Sequence, residues 1–221
     1  MSAWSELKAV SPVFELSMTE LRVLGKAPPQ TRQDLQYESR APDAIVAVAI
    51  LIGAEVMFFG GLITALLVLR AGAVIWPPPG QPRLPLLVTG LNTVALLISG
   101  LAMRSATNSL QANHLTDFKR KLDVAAALGA TFVLVQGCEW LGLLRHGLKV
   151  SAGVYGGLFG AIVLAHATHV AAGLIALTIV SFRAWHRRYT PQSSAGVSAC
   201  MLYWWFVVLL WPVLYVLLYL V

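Results

Sequence analysis

The chain has 221 residues, 57% of them hydrophobic and only 12% charged, with a net charge of +6. That balance excludes an ordinary soluble domain. Five apolar runs, each about the 20 residues a helix needs to cross the hydrocarbon, define an all-α, polytopic membrane bundle. The charges crowd into the first 42 residues and the short gaps between apolar runs. The positive charge therefore bears on orientation in a membrane, and no nucleic-acid partner is expected. Cys138 and Cys200 lie far apart inside apolar runs, without a CxxC or CxxCH pattern, and are expected as buried free thiols.

Residues 1–42 form a polar N-terminal arm, too long and too mixed in charge for a secretory signal peptide. Within it, Ser11-Pro12 and the interleaving of Val13, Leu16, Leu21, Val23 and Leu24 with Glu15, Glu20 and Arg22 predict a short amphipathic helix on a membrane or subunit surface. Pro28-Pro29 ends it, and a charged linker leads to Pro42.

The membrane domain, 43–221, has its first span at about Ile45–Leu69, closed by Arg70. The loop Trp76–Pro85, WPPPGQPRLP, is too rich in proline to be helical. A second span covers about Leu86–Met103 with Asn92 near its start, and a polar linker runs from Arg104 to Lys121. The third span, about Leu122–Leu144, contains Gln136 and Glu139. The fourth, about Val154–Phe182, contains His166 and His169 and leads to Arg183, Arg187 and Arg188. The fifth, about Val197–Leu220, is rich in Trp and Tyr.

An odd number of spans puts the termini on opposite sides. Twelve of the sixteen Lys and Arg residues then fall with the N-terminus, which the positive-inside bias assigns to the cytoplasm, with the C-terminus outside. Trp76, Trp185, Trp211, Tyr215 and Tyr219 suit interfacial anchoring, whereas Trp204 and Trp205 suit anchoring or packing between helices. Gly53, Gly60 and Gly61 around Glu55, and Gly156-x-x-x-Gly160, would allow helices to approach closely.

Four ionisable groups lie well inside spans: Glu55, Glu139, His166 and His169. A charge at mid-bilayer costs roughly 2.5–3.5 kcal/mol on insertion scales, so each needs a partner, a proton or a water-lined site. His166 and His169, three residues apart, are neighbours on one helix. Two His and two carboxylates could bind Zn, Mn or Fe, but no HExxH and no Glu-x-x-His pair on one helix accompanies them. Haem ligation would need histidines on facing helices. The favoured reading is a polar seam in which a Glu–His pair shares a proton, and a neutral Glu in a helix–helix hydrogen bond is the packing alternative.

Seven stretches occur in a fixed order: AEVMFFGG (54–61), WPPPG (76–80), LNTVALLISG (91–100), ALGATFVLVQGCEW (127–140), GVYGGLFG (153–160), HATHVAAG (166–173) and LYWWFVVLLWPVLYVLLY (202–219). Together they resemble the cytochrome c oxidase subunit III family of the haem–copper oxidases, in its five-span bacterial form lacking the first two spans. The resemblance implies that Glu55 is the family's carbodiimide-reactive buried glutamate. It also implies that Trp76, Pro77, Pro78 and Gly80 form the outer-loop motif, and that Glu139, His166 and His169 are the motif residues of spans three and four. Arg183 would hold a lipid phosphate, with Arg187 and Trp76 nearby candidates for lipid contact.

The family itself binds no haem or copper. It flanks catalytic subunit I, with subunit II in the same complex, binds phospholipid, supports proton delivery and protects against turnover inactivation. Supercomplex neighbours are further possible partners, and the implied location is the bacterial inner membrane. Where the family's last span usually reads YWHFVDVVW, this chain reads YWWFVVLLW, so Trp205 and Val208 replace a His and an Asp. The loss of those polar groups shifts weight toward a structural, lipid-holding role. Within the same superfamily, a quinol oxidase or a nitric oxide reductase complex would suit the same subunit. From another class, an independent small membrane transporter or channel is the alternative.

Overall fold

A computed structural model describes residues 32–74, 86–145, 154–186, 189–190 and 194–220. The expected amphipathic helix at 11–24, the Trp76 loop and Arg187 lie outside them. Residues group into two units, Met1–Arg40 and Ala41–Val221, and the five candidate membrane spans, from Asp43 onward, lie in the second. In chain order the helices are α1 (Arg32–Ala71), α2 (Leu86–Gln111), α3 (Leu115–Arg145), α4 (Val154–Trp185) and α5 (Ala195–Tyr215), followed by a π-helical turn, Val216–Leu220. All five are long and apolar enough to cross a membrane. A helix satisfies its own backbone polar groups, which lipid cannot do.

Several helices run further than the hydrophobic pattern suggests. The charged linker before the first span is helical from Arg32, through Pro42. The polar linker between the second and third spans shrinks to Ala112–His114, because α2 continues to Gln111 and α3 already starts at Leu115. Hydropathy marks where a helix leaves the hydrocarbon, whereas backbone hydrogen bonds carry it on until a cap intervenes. Here the cap is Asn113, whose φ of 59° is left-handed. The His114 N–H bonds the Ser109 carbonyl at 2.8 Å and the Asn113 N–H that of Leu110 at 3.0 Å, closing a Schellman motif.

The α2–α3 hairpin is the best-packed pair, and α4 and α5 close on it to make a four-helix core. Trp204 and Trp211, seven residues apart on one face of α5, are fully buried at its centre. The Trp204 indole lies between two glycines. A Cβ on Gly129 of α3 would stand 2.7 Å from its Cζ2, and a Cβ on Gly173 of α4 would stand 2.9 Å from its Cε3. These are the two tightest of the glycine approaches among the described residues. Gly53, Gly60 and Gly61 of α1, expected to serve that purpose, face nothing within 4 Å.

Trp211 is likewise a core residue and not an interfacial anchor. Trp185, by contrast, is exposed at the end of α4. Cys200 is buried, but Cys138 is exposed, because it lies on the outward side of α3. Buried hydroxyls and amides join the helices. Ser99 Oγ donates to the Ala125 carbonyl at 2.7 Å and accepts from Trp204 Nε1 at 3.1 Å. Asn92 Nδ2 donates to the Phe132 carbonyl at 3.1 Å, and Trp211 Nε1 donates to Thr93 Oγ1 at 2.9 Å. In lipid such bonds and close packing replace the hydrophobic effect as the force between helices.

Helix α1 stands apart from this core. Only 6% of its most apolar window is buried within the chain, although Phe59 and Leu66 are covered. Burying two side chains in lipid gains packing alone, so α1 is held by little apolar contact and leaves a long face for something else.

Candidate functional site

The four intramembrane ionisable groups do not form one constellation. Glu55 of α1 meets His169 of α4, Oε2 to Nε2 at 2.9 Å. Phe59, one turn along α1, packs edge-on against the same imidazole with ring centroids 5.3 Å apart. His169 Nδ1 lies 2.6 Å from the Ala165 carbonyl oxygen. A carbonyl only accepts, so Nδ1 carries the hydrogen. Nε2 then either accepts a proton from a neutral Glu55 carboxyl or, as imidazolium, donates one to the carboxylate. Both states have one proton between the two groups and no net charge, which lowers the cost of placing them in the membrane. The side chains are 21% and 18% exposed, so the pair opens toward the outside of the chain and not into its core.

His166 points the other way. It is buried, stacked on Trp211 of α5 at 5.0 Å and 23°, and neither ring nitrogen has a hydrogen-bond partner among the described residues. Being three residues from His169 puts it on a neighbouring part of the helix, yet each ring serves a different interface. Residue spacing identified neighbours but could not assign partners.

Glu139 belongs to a third cluster. Its Oε2 accepts from Thr89 Oγ1 at 2.9 Å and from Gln136 Nε2 at 3.0 Å. Gln136 Nε2 also reaches Tyr219 OH at 3.3 Å, as does Trp140 Nε1 at 3.3 Å. The π-helical turn after α5 carries Tyr219 back onto this cluster. Proline inside α5, Pro212, precedes that turn and lacks the N–H a regular helix would use.

Arg183 is exposed on the last turn of α4. Nearby, the sequence reading missed Asp123, which accepts from Ser181 Oγ and from Trp185 Nε1, the latter at 3.1 Å, and so ties α3 to α4. The signal was available: an acid just past Lys119-Arg120-Lys121, inside the apolar run, needs a partner.

Among the described residues no group of three or more His, Cys, Asp or Glu side chains could hold a metal ion. Fold and polar contacts together define a multi-pass helical membrane protein whose intramembrane acids and histidines join helix to helix.

Residues 43–221 match the family profile of cytochrome c oxidase subunit III. The cytochrome c oxidase subunit 3 of Synechocystis sp. is 33% identical over 174 residues, covering 78% of this chain and 73% of that one. That of Thermostichus vulcanus is 30% identical over 178 residues, 79% and 86% of the two chains. That of Tragelaphus oryx is 36% identical over 145 residues, 65% of this chain but only 54% of the longer relative. The chain belongs to the cytochrome c oxidase subunit III family, and is thus an accessory subunit in a haem–copper oxidase complex.

Proposed function

We propose that the chain is the third subunit of a proton-pumping terminal oxidase in a bacterial inner membrane. There it flanks catalytic subunit I, beside subunit II, and keeps that subunit supplied with protons during turnover. Haem and copper belong to those partners. The observation that carries the proposal is the Glu55–His169 contact at 2.9 Å, on the side of a helix that the chain itself barely covers. A proton can move between carboxyl and imidazole at such a place with no change in the pair's net charge, and its release onward leaves the Glu55 carboxylate to take up the next proton. The remaining face of α1 suits a subunit or phospholipid surface. Arg183, together with Arg187, is assigned to phospholipid phosphate contact.

The test is to deplete the purified oxidase of this chain and follow oxygen consumption and proton uptake in time. The depleted enzyme is expected to begin at a comparable rate and lose activity within fewer turnovers, with slower proton uptake. An unchanged lifetime and unchanged proton uptake contradict the proposal. A chain that purifies from gentle detergent without haem-bearing companions contradicts the partner assignment.

A further inference from the structure

At the end of the bundle that carries Lys119-Arg120-Lys121, an open cavity of about 640 Å³ lies against α3 and the last turn of α4. Lys119 and Arg120 line it as cations, Trp185 as an aromatic wall, and Val124 and Ala127 as an apolar floor running into the span. The Lys119 ammonium sits 5.3 Å from the centre of the Trp185 ring. Among the described lining residues the one acid is Asp123, which accepts from the Ser181 hydroxyl and the Trp185 N–H and so fixes the indole. No ion pair within 4 Å joins Lys119 or Arg120 to a carboxylate among the described residues. The neighbouring Lys121 is committed elsewhere, donating to Ser109 Oγ at 2.8 Å.

Two cations against one carboxylate leave the rim net positive and call for a phosphate, and an apolar floor below them calls for an acyl chain. The ammonium of a zwitterionic headgroup would bring a third positive charge beside Lys119 and Arg120, which favours a headgroup of net negative charge. We propose that this cavity binds the phosphodiester of an anionic, ammonium-free phospholipid, with Lys119 and Arg120 on the phosphate and one chain along Val124 and Ala127. The membrane leaflet concerned is the one on the Lys119 side, cytoplasmic by the positive-inside bias. The site extends the lipid-binding part of the proposed function but uses different residues. Arg183 is two positions from Trp185, about 200° around the helix, and so serves another face.

The test uses the intact oxidase in phosphatidylcholine nanodiscs carrying a trace of photoactivatable phosphatidylglycerol, with crosslinked peptides mapped by mass spectrometry. Crosslinks are expected at residues 116–127 and at Trp185. Each neutralised cation in Lys119→Gln and Arg120→Gln should cut their yield about fivefold, the effect of one basic residue near an anionic surface. The charge-keeping pair Lys119→Arg and Arg120→Lys should retain it. Unlabelled phosphatidylglycerol should compete, whereas phosphatidylcholine and inorganic phosphate should not.

Equal yields in the Gln variants, or equal competition by phosphatidylcholine, overturn the proposal. Displacement by inorganic phosphate alone assigns the site to a free anion and overturns it as well. The competition arms use the unaltered complex, so they decide the matter even if a Gln variant fails to assemble. Loss of the proposed proton role would leave these results unaffected, which keeps the two readings separable.

Discussion

Gly129→Ala should be among the most damaging single-methyl changes in this chain. The added carbon would lie 2.7 Å from Trp204 Cζ2 and 2.8 Å from Cη2, where carbon atoms in contact keep about 3.5–4.0 Å. The indole has to move by nearly one ångström, and Gly173 closes the opposite side with its own virtual Cβ at 2.9 Å. Movement along the remaining direction strains the 3.1 Å bond from Trp204 Nε1 to Ser99. Overpacking costs about 1–3 kcal/mol, and an interhelical hydrogen bond in a membrane contributes about 0.6–1.7 kcal/mol. The expected loss is therefore about 2–4 kcal/mol. Unfolding in mixed micelles of rising SDS fraction, followed by circular dichroism, measures it. Trp204→Phe removes the ring that clashes, so the double variant should recover at least about 1 kcal/mol relative to additivity. A Gly129→Ala protein within about 0.5 kcal/mol of the parent, or strict additivity with Trp204→Phe, refutes the reasoning.

His166→Phe should be neutral or stabilise by about 1 kcal/mol in the same assay, because the stack on Trp211 persists and two unpartnered buried nitrogens disappear; a loss of more than about 1 kcal/mol would mean those nitrogens are in use. A small membrane-soluble maleimide should label Cys138 in the folded protein and leave Cys200 unreacted until unfolding, since only the former is exposed; early labelling of Cys200 contradicts the core as described. Trp211→Phe should cost about 1 kcal/mol or more through loss of the bond to Thr93, and a change without effect would remove that contact from the account.

The spans themselves were legible because hydropathy is a property of residues one at a time, and twenty in a row leave few alternatives. Helix ends were not, since the cap at Asn113 depends on one backbone angle that the polar linker sequence does not display. Pairings were harder still. Glu55 with His169 could be listed among combinations of four groups, but not chosen over Glu55 with His166. The glycines show the same limit. Gly60-Gly61 looks like a helix-packing pair, while the contacts fall on Gly129 and Gly173, whose importance comes from Trp204 on a third helix. Trp211 near a span end suggested an interface and instead fills the core, because the following turn brings Tyr219 outward of it and covers it. Asp123 was overlooked as one more charge beside a basic triplet, although its place inside the apolar run distinguished it.

The central claim is that Glu55 and His169 share a transferable proton that serves the oxidase. Glu55→Gln keeps the size of the side chain and its hydrogen-bonding capacity but cannot exchange a proton with the imidazole. The direct measurement is oxygen consumption of the intact complex carrying Glu55→Gln, followed until activity decays, with the amount of this chain in the complex quantified alongside. The account predicts normal assembly, a near-normal initial rate and a shortened catalytic lifetime. Normal assembly with an unchanged lifetime would leave the pair as a helix contact and nothing more.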